Sequence, residues 1–160
     1  MSEQDLRRQL YESFRNRAMM YHHIFEVLKD EVGEERAAEI MKKGIYERGL
    51  AVGRHFAKYG PADIEGLKKA FLGFIPDEGK MFEPEVERCD AGGLDIKFHR
   101  CPLKEAWQQA GLSDSQVAKL CEIAARVDNG TFEGAGFRFS ADTWKPGGDG
   151  CCHLHIRPGG

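Results

Sequence analysis

No stretch of this chain approaches the roughly 20 consecutive apolar residues that a membrane-crossing helix needs, which excludes a membrane span from the reading. The opening MSEQDLRRQLYESF alternates charge with apolar residues and has neither the apolar core nor the small-residue cleavage site of a secretory signal. A cytoplasmic location is the expectation. Basic residues form no stripe; they are interleaved with acidic ones to a formal net charge of −3. Without a basic footprint carrying stacking aromatics, neither DNA nor RNA is expected as a partner. Cysteines number five, an odd count, and Cys151 and Cys152 are adjacent. That pattern serves a disulfide framework poorly and predicts free thiols, for catalysis, metal or packing. Internal repeats and low-complexity linkers are also absent.

What is present suits a compact soluble unit. The 160 residues, with 41% hydrophobic and 31% charged, match the commonest domain size and predict a single domain over 1–160. Residues 1–75 read as mainly helical. From Gln4 to Lys29, Leu6, Leu10, Phe14, Ala18, Tyr21, Phe25 and Leu28 recur every three or four positions, one face of an amphipathic helix that Ser2 can cap. A second helix is predicted over Glu34 to Lys58, weakened by Gly44, Gly49 and Gly53, whose cost of about 1 kcal/mol each points to close helix packing or a local break. Asp63 caps a third helix, which Gly73 and Pro76 end.

Residues 82–156 read as mixed helix and strand. Phe82 to Cys89 and Leu94 to Arg100 form short strands around Ala91-Gly92-Gly93, a hairpin. Pro102 opens a helix that Gly111 stops. Ser113 or Asp114 caps the next, with Val117, Leu120, Cys121, Ala124 and Val127 on one face and Asp128 in its last turn. Phe137 and Phe139, and then Cys152, Leu154 and Ile156, alternate as strands on either side of a glycine-rich loop, Pro146 to Gly150. The fold class that follows is α+β, with N-terminal helices packed on a small antiparallel sheet.

The chemistry concentrates between His99 and Ile156. Cys101 stands where a strand meets a helix, and the orphan N–H groups and dipole of a helix start favour a thiolate. Cys121 and Asp128 are two helical turns apart, so one helix would project both into a single site. An aspartate in a last turn opposes the dipole and needs solvent, a hydrogen bond or a functional partner. The run Gly147 to His155 joins a flexible loop, able to approach a ligand closely, to thiols and imidazoles. Period two sets Cys152, Leu154 and Ile156 on one face and Cys151, His153 and His155 on the other.

The order Cys101-Pro102, a helix with Trp107 and Gly111, Leu120-Cys121 with Asp128 after it, then Gly148-Asp149 and a cysteine resembles the L-2-amino-thiazoline-4-carboxylic acid hydrolase family. Strand alternation favours Cys152 over Cys151 as the last of these cysteines. His153 and His155 stand where relatives carry acidic, aromatic or basic residues, which ties substrate identity to those two positions. The resemblance implies a hydrolase that opens a small cyclic amidine or isothiourea, such as L-2-amino-thiazoline-4-carboxylate, to N-carbamoyl-L-cysteine. On that reading Asp128 binds the amidinium-like nitrogens or acts as base, and Cys101 or Cys152 is nucleophile or proton donor. Cys121, Asp149, His153 and His155 bind substrate. The substrate carboxylate would meet Arg100, Arg138 or the helix start at Pro102. A small-molecule substrate is the only partner implied, no cofactor is expected, and homo-oligomerisation is left open. The alternative is a non-catalytic metal- or small-ligand-binding module, with zinc or iron held by Cys101, Cys121, Cys152, His153 and His155.

Overall fold

Ser2 and Asp5 exchange hydrogen bonds between side chain and backbone, a capping box that starts the 30-residue helix α1 (Glu3–Val32). The computed structural model describes residues 1–160. Gly33, with a positive φ, turns the chain into α2 (Glu34–Gly53), and a 3₁₀ segment over Arg54–Tyr59 follows. The expected helix to Lys58 therefore tightens at Gly53. Asp63 caps α3 (Ile64–Phe74) by accepting the Gly66 N–H, as its position predicted. No helix is long and apolar enough to cross a membrane.

The hairpin of β1 (Pro84–Asp90) and β2 (Gly93–Phe98) forms around the predicted turn. Next come α4 (Pro102–Gln109), α5 (Asp114–Ala124), α6 (Arg126–Gly134), β3 (Arg138–Asp142) and β4 (His153–Arg157). The four strands lie in the order β1-β2-β4-β3, every neighbouring pair antiparallel. Leu94, Ile96, Leu154 and Ile156 are fully buried on one face, which the helices cover. The class is α+β. One hydrophobic cluster of 30 buried residues runs from Ala18 to Ile156 and joins the helical and mixed halves.

Two helix contacts shape the interior. Trp107 of α4, fully buried, donates its indole N–H to the Ala18 carbonyl of α1 at 2.7 Å. Gly49 and Gly53 of α2 face α6 so closely that a Cβ on Gly49 would strike the Val127 carbonyl and one on Gly53 the Thr131 carbonyl. These two glycines are packing devices; a Cβ on Gly44 would meet nothing within 4 Å.

The helix expected to run from Ser113 through Asp128 is two helices. α5 ends at Ala124, and α6 starts at Arg126, with the Asp128 N–H bonded to the Ala125 carbonyl three residues back. Asp128 consequently lies in a first turn, where the dipole favours its charge, and not in a last turn that opposes it.

The glycine-rich loop before β4 is tied down, contrary to its flexible composition. Trp144 donates its indole N–H to the Gly148 carbonyl, and Lys97, buried, donates to the carbonyls of Asp149 and Cys151. Lys104 bonds the Gly150 carbonyl while its ammonium sits over the Trp144 ring.

Candidate functional site

Helices α1 to α6, the end of β2 and the segment entering β4 line a cavity of about 520 Å³. Cys101, Cys121 and Asp128 line it, and so do both Cys151 and Cys152. Strand alternation put Cys151 on the opposite side from Cys152. The structure turns both inward, because β4 starts only at His153 and Gly150, at φ +67°, redirects the chain just before the pair. Their sulfurs are 3.6 Å apart.

All five cysteines are free, and Cys151 is the hub of the cavity thiols. Its thiol neighbours those of Cys101 and Cys121, and this proximity, with burial, pushes both of those thiols up from the ordinary range. The Leu103 and Lys104 N–H groups at the start of α4 do act to lower Cys101, as a helix N-terminus should. The neighbouring thiol and the apolar surroundings outweigh them. The balance therefore holds Cys101 toward the neutral thiol, against the thiolate that a helix start favours.

Asp128 is half-buried, lines the cavity and makes no side-chain hydrogen bond within the protein. Loss of hydration raises its carboxyl to about 7, against a lowering by the Arg17 charge. Arg17 projects from α1 beside it, its Nε donating to the Tyr21 hydroxyl at 3.2 Å and its guanidinium lying over the rings of Phe14 and Tyr21. Arg48, exposed, stands on the same cavity from α2.

The remaining predicted residues do not reach it. His153 and His155 lie on the outer face of the sheet, ring beside ring, since Leu154 and Ile156 take the inner one. His153 pairs with Glu87, and His155 bridges Asp95 and Asp142. Asp149 is exposed in the tied loop. Arg100 is occupied by Glu105, and Arg138 by the Pro158 carbonyl. The alternative ligand set of Cys101, Cys121, Cys152, His153 and His155 is split by the sheet, and no three His, Cys, Asp or Glu side chains are arranged to hold a metal ion.

Sequence reasoning missed Arg17, Tyr21 and Cys151. A signal existed for the first: position 17 falls between Phe14 and Tyr21 at helical spacing, so a charge interrupts the apolar face of α1.

In chemical terms the cavity offers one carboxyl able to exchange a proton near neutrality, the guanidinium of Arg17 with two free nitrogens and that of Arg48 farther out, four thiols and apolar walls. A family model described as L-2-amino-thiazoline-4-carboxylic acid hydrolase matches residues 13–156, a span that contains every cavity residue named above. No curated protein matches the chain.

Proposed function

This chain belongs to the L-2-amino-thiazoline-4-carboxylic acid hydrolase family, and from that membership we propose that it hydrolyses a cyclic isothiourea of this type at the Asp128 and cysteine cavity. The observation that carries the reading is the unpartnered Asp128 carboxyl, raised to about 7 beside Arg17 in a cavity that four thiols share. A zwitterionic ring fits such a pair of charges: its carboxylate meets Arg17, and its amidine nitrogens face Asp128.

Asp128 in its ionised form takes a proton from water as the oxygen adds to the carbon between sulfur and nitrogen. The tetrahedral centre collapses by breaking the carbon–sulfur bond, and the electron pair leaves on sulfur. A thiol, Cys101 or Cys152, hands its proton to that sulfur. The added oxygen's remaining proton is lost as the carbonyl forms, and the thiol is restored. Asp128 then releases its proton to solvent, so the zwitterionic ring plus water gives the carboxylate of N-carbamoyl-L-cysteine and one proton. The upward push on Cys101 favours this donor role for it over nucleophilic attack, which needs the thiolate.

The test is turnover of L-2-amino-thiazoline-4-carboxylate by the purified protein, followed by release of a new thiol, with Cys101→Ser and Cys152→Ser in parallel. Turnover that one serine variant loses and the other keeps identifies the donor. No thiol release from this ring or from its close analogues rejects the hydrolase reading.

A further inference from the structure

The charges and thiols account for one part of the cavity and leave the other without a task. Seventeen of its 22 lining residues are hydrophobic. Phe14 and Phe82 have ring centroids 6.0 Å apart, Phe82 and Phe98 5.2 Å, and Phe98 and Phe71 6.5 Å, so four rings from four parts of the chain make one continuous wall. The wall borders the thiols directly: the Phe98 N–H donates to the Cys152 carbonyl, and the Cys151 N–H to the Phe98 carbonyl.

A bare aminothiazoline carboxylate is a single five-membered ring with two small polar groups. At about 520 Å³ the cavity falls in the range of roughly 300–1,000 Å³ that holds drug-sized ligands. That is the share of roughly 17 waters, and water placed against these phenyl rings would lack the two to four polar partners it needs. An apolar group there releases it.

We infer that the substrate is a larger member of the same chemical class: a cyclic amidine or isothiourea carboxylate whose ring carries an apolar substituent of about phenyl or branched-alkyl size, seated on the wall of Phe14, Phe71, Phe82 and Phe98. The inference rests on the hydrolase reading for its polar end. Its apolar end rests on the size and lining of the cavity alone.

The test compares 2-amino-thiazoline-4-carboxylate with the same ring bearing phenyl or isobutyl at carbon 5. Two numbers are measured for each: kcat/KM on the native protein and Kd by calorimetry on Asp128→Asn. Burial of such a group predicts a preference of about 10- to 100-fold for the substituted rings in both. Phe82→Leu and Phe14→Leu, at half-buried positions, lower that preference several-fold. Equal or better use of the bare ring overturns the inference and leaves the hydrolase reading intact. If no ring is turned over, the hydrolase reading fails and Kd decides alone: tenfold tighter binding of the substituted rings keeps the cavity assignment, and no preference overturns it.

Discussion

The Cα of Gly49 lies 2.8 Å from where a Cβ on Gly130 would stand, so α2 and α6 meet backbone to backbone. This contact sets the height at which Asp128, one half-turn before Gly130, enters the cavity. Gly49→Ala forces the helices apart and should cost about 1–3 kcal/mol or more by chemical denaturation, with a loss of activity beyond the loss of folded protein. Gly44→Ala, on the open side of the same helix, should instead stabilise by up to about 1 kcal/mol. Equal effects at the two positions would mean that the helices do not touch there.

Asp128→Asn should lower turnover by about 10²–10⁴-fold, the usual worth of a placed acid or base. The native profile of kcat/KM should rise with pH through an inflection near 7, which the variant lacks. An unchanged profile in the variant removes Asp128 from the reaction.

Stability moves the other way. Folding favours the protonated Asp128, so the native chain loses stability as pH rises from the ordinary carboxyl range near 4 through about 7, where the unfolded state has already released the proton. Asparagine carries no such cost. The gain in Tm of Asp128→Asn over the native protein should therefore be small at pH 4, grow to pH 7 and level off above pH 8. A gain that does not change with pH refutes loss of hydration as the cause of the raised carboxyl.

Two of the cavity thiols should react slowly. Cys101 and Cys121 are held up by Cys151 and by burial, so iodoacetamide at pH 7.5 should alkylate them at least about tenfold more slowly than free cysteine, whose pKa is near 8.5. The rate should climb as pH passes 9. Fast alkylation at pH 7 would identify a thiolate and return Cys101 to the role of nucleophile.

Arg17→Gln should raise KM at least about tenfold for a ring with a carboxylate and change it little for the matching carboxamide, because only the former loses a charge-assisted pair. Arg17→Lys should recover part of the loss, since lysine keeps the charge but not the forked geometry. If acid and amide respond alike, Arg17 is not the anchor.

Much of the fold is legible in the sequence because the signals are local. Ser2, Asp63 and Ser113 each cap the helix predicted after them, and the hairpin turns at Ala91-Gly92-Gly93. The break at Ala125 is not legible, since alanine is the best of helix formers and neither glycine nor proline marks the bend. Beyond the break, α6 packs Gly130 and Gly134 against Gly49 and Leu50 of α2, a contact made only in the folded chain. For the site, Cys101, Cys121, Asp128 and Cys152 all line the cavity, while Arg17 enters from a helix more than 80 residues earlier in the chain. Cys151 escaped the two-residue rhythm because that rhythm applies only once the strand has begun. Asp149 and the two histidines are beside the site in sequence and outside it in space.

The alternation of β4 thus divides one short segment between two independent jobs. A substitution at 153 or 155 is written on the outside of the molecule, among Glu87, Asp95 and Asp142, and the cavity does not register it. Relatives that differ there can share a substrate, and relatives that agree there can differ in it. Comparison of members for what they accept belongs at 14, 71, 82 and 98, positions spread over most of the chain and joined only by folding.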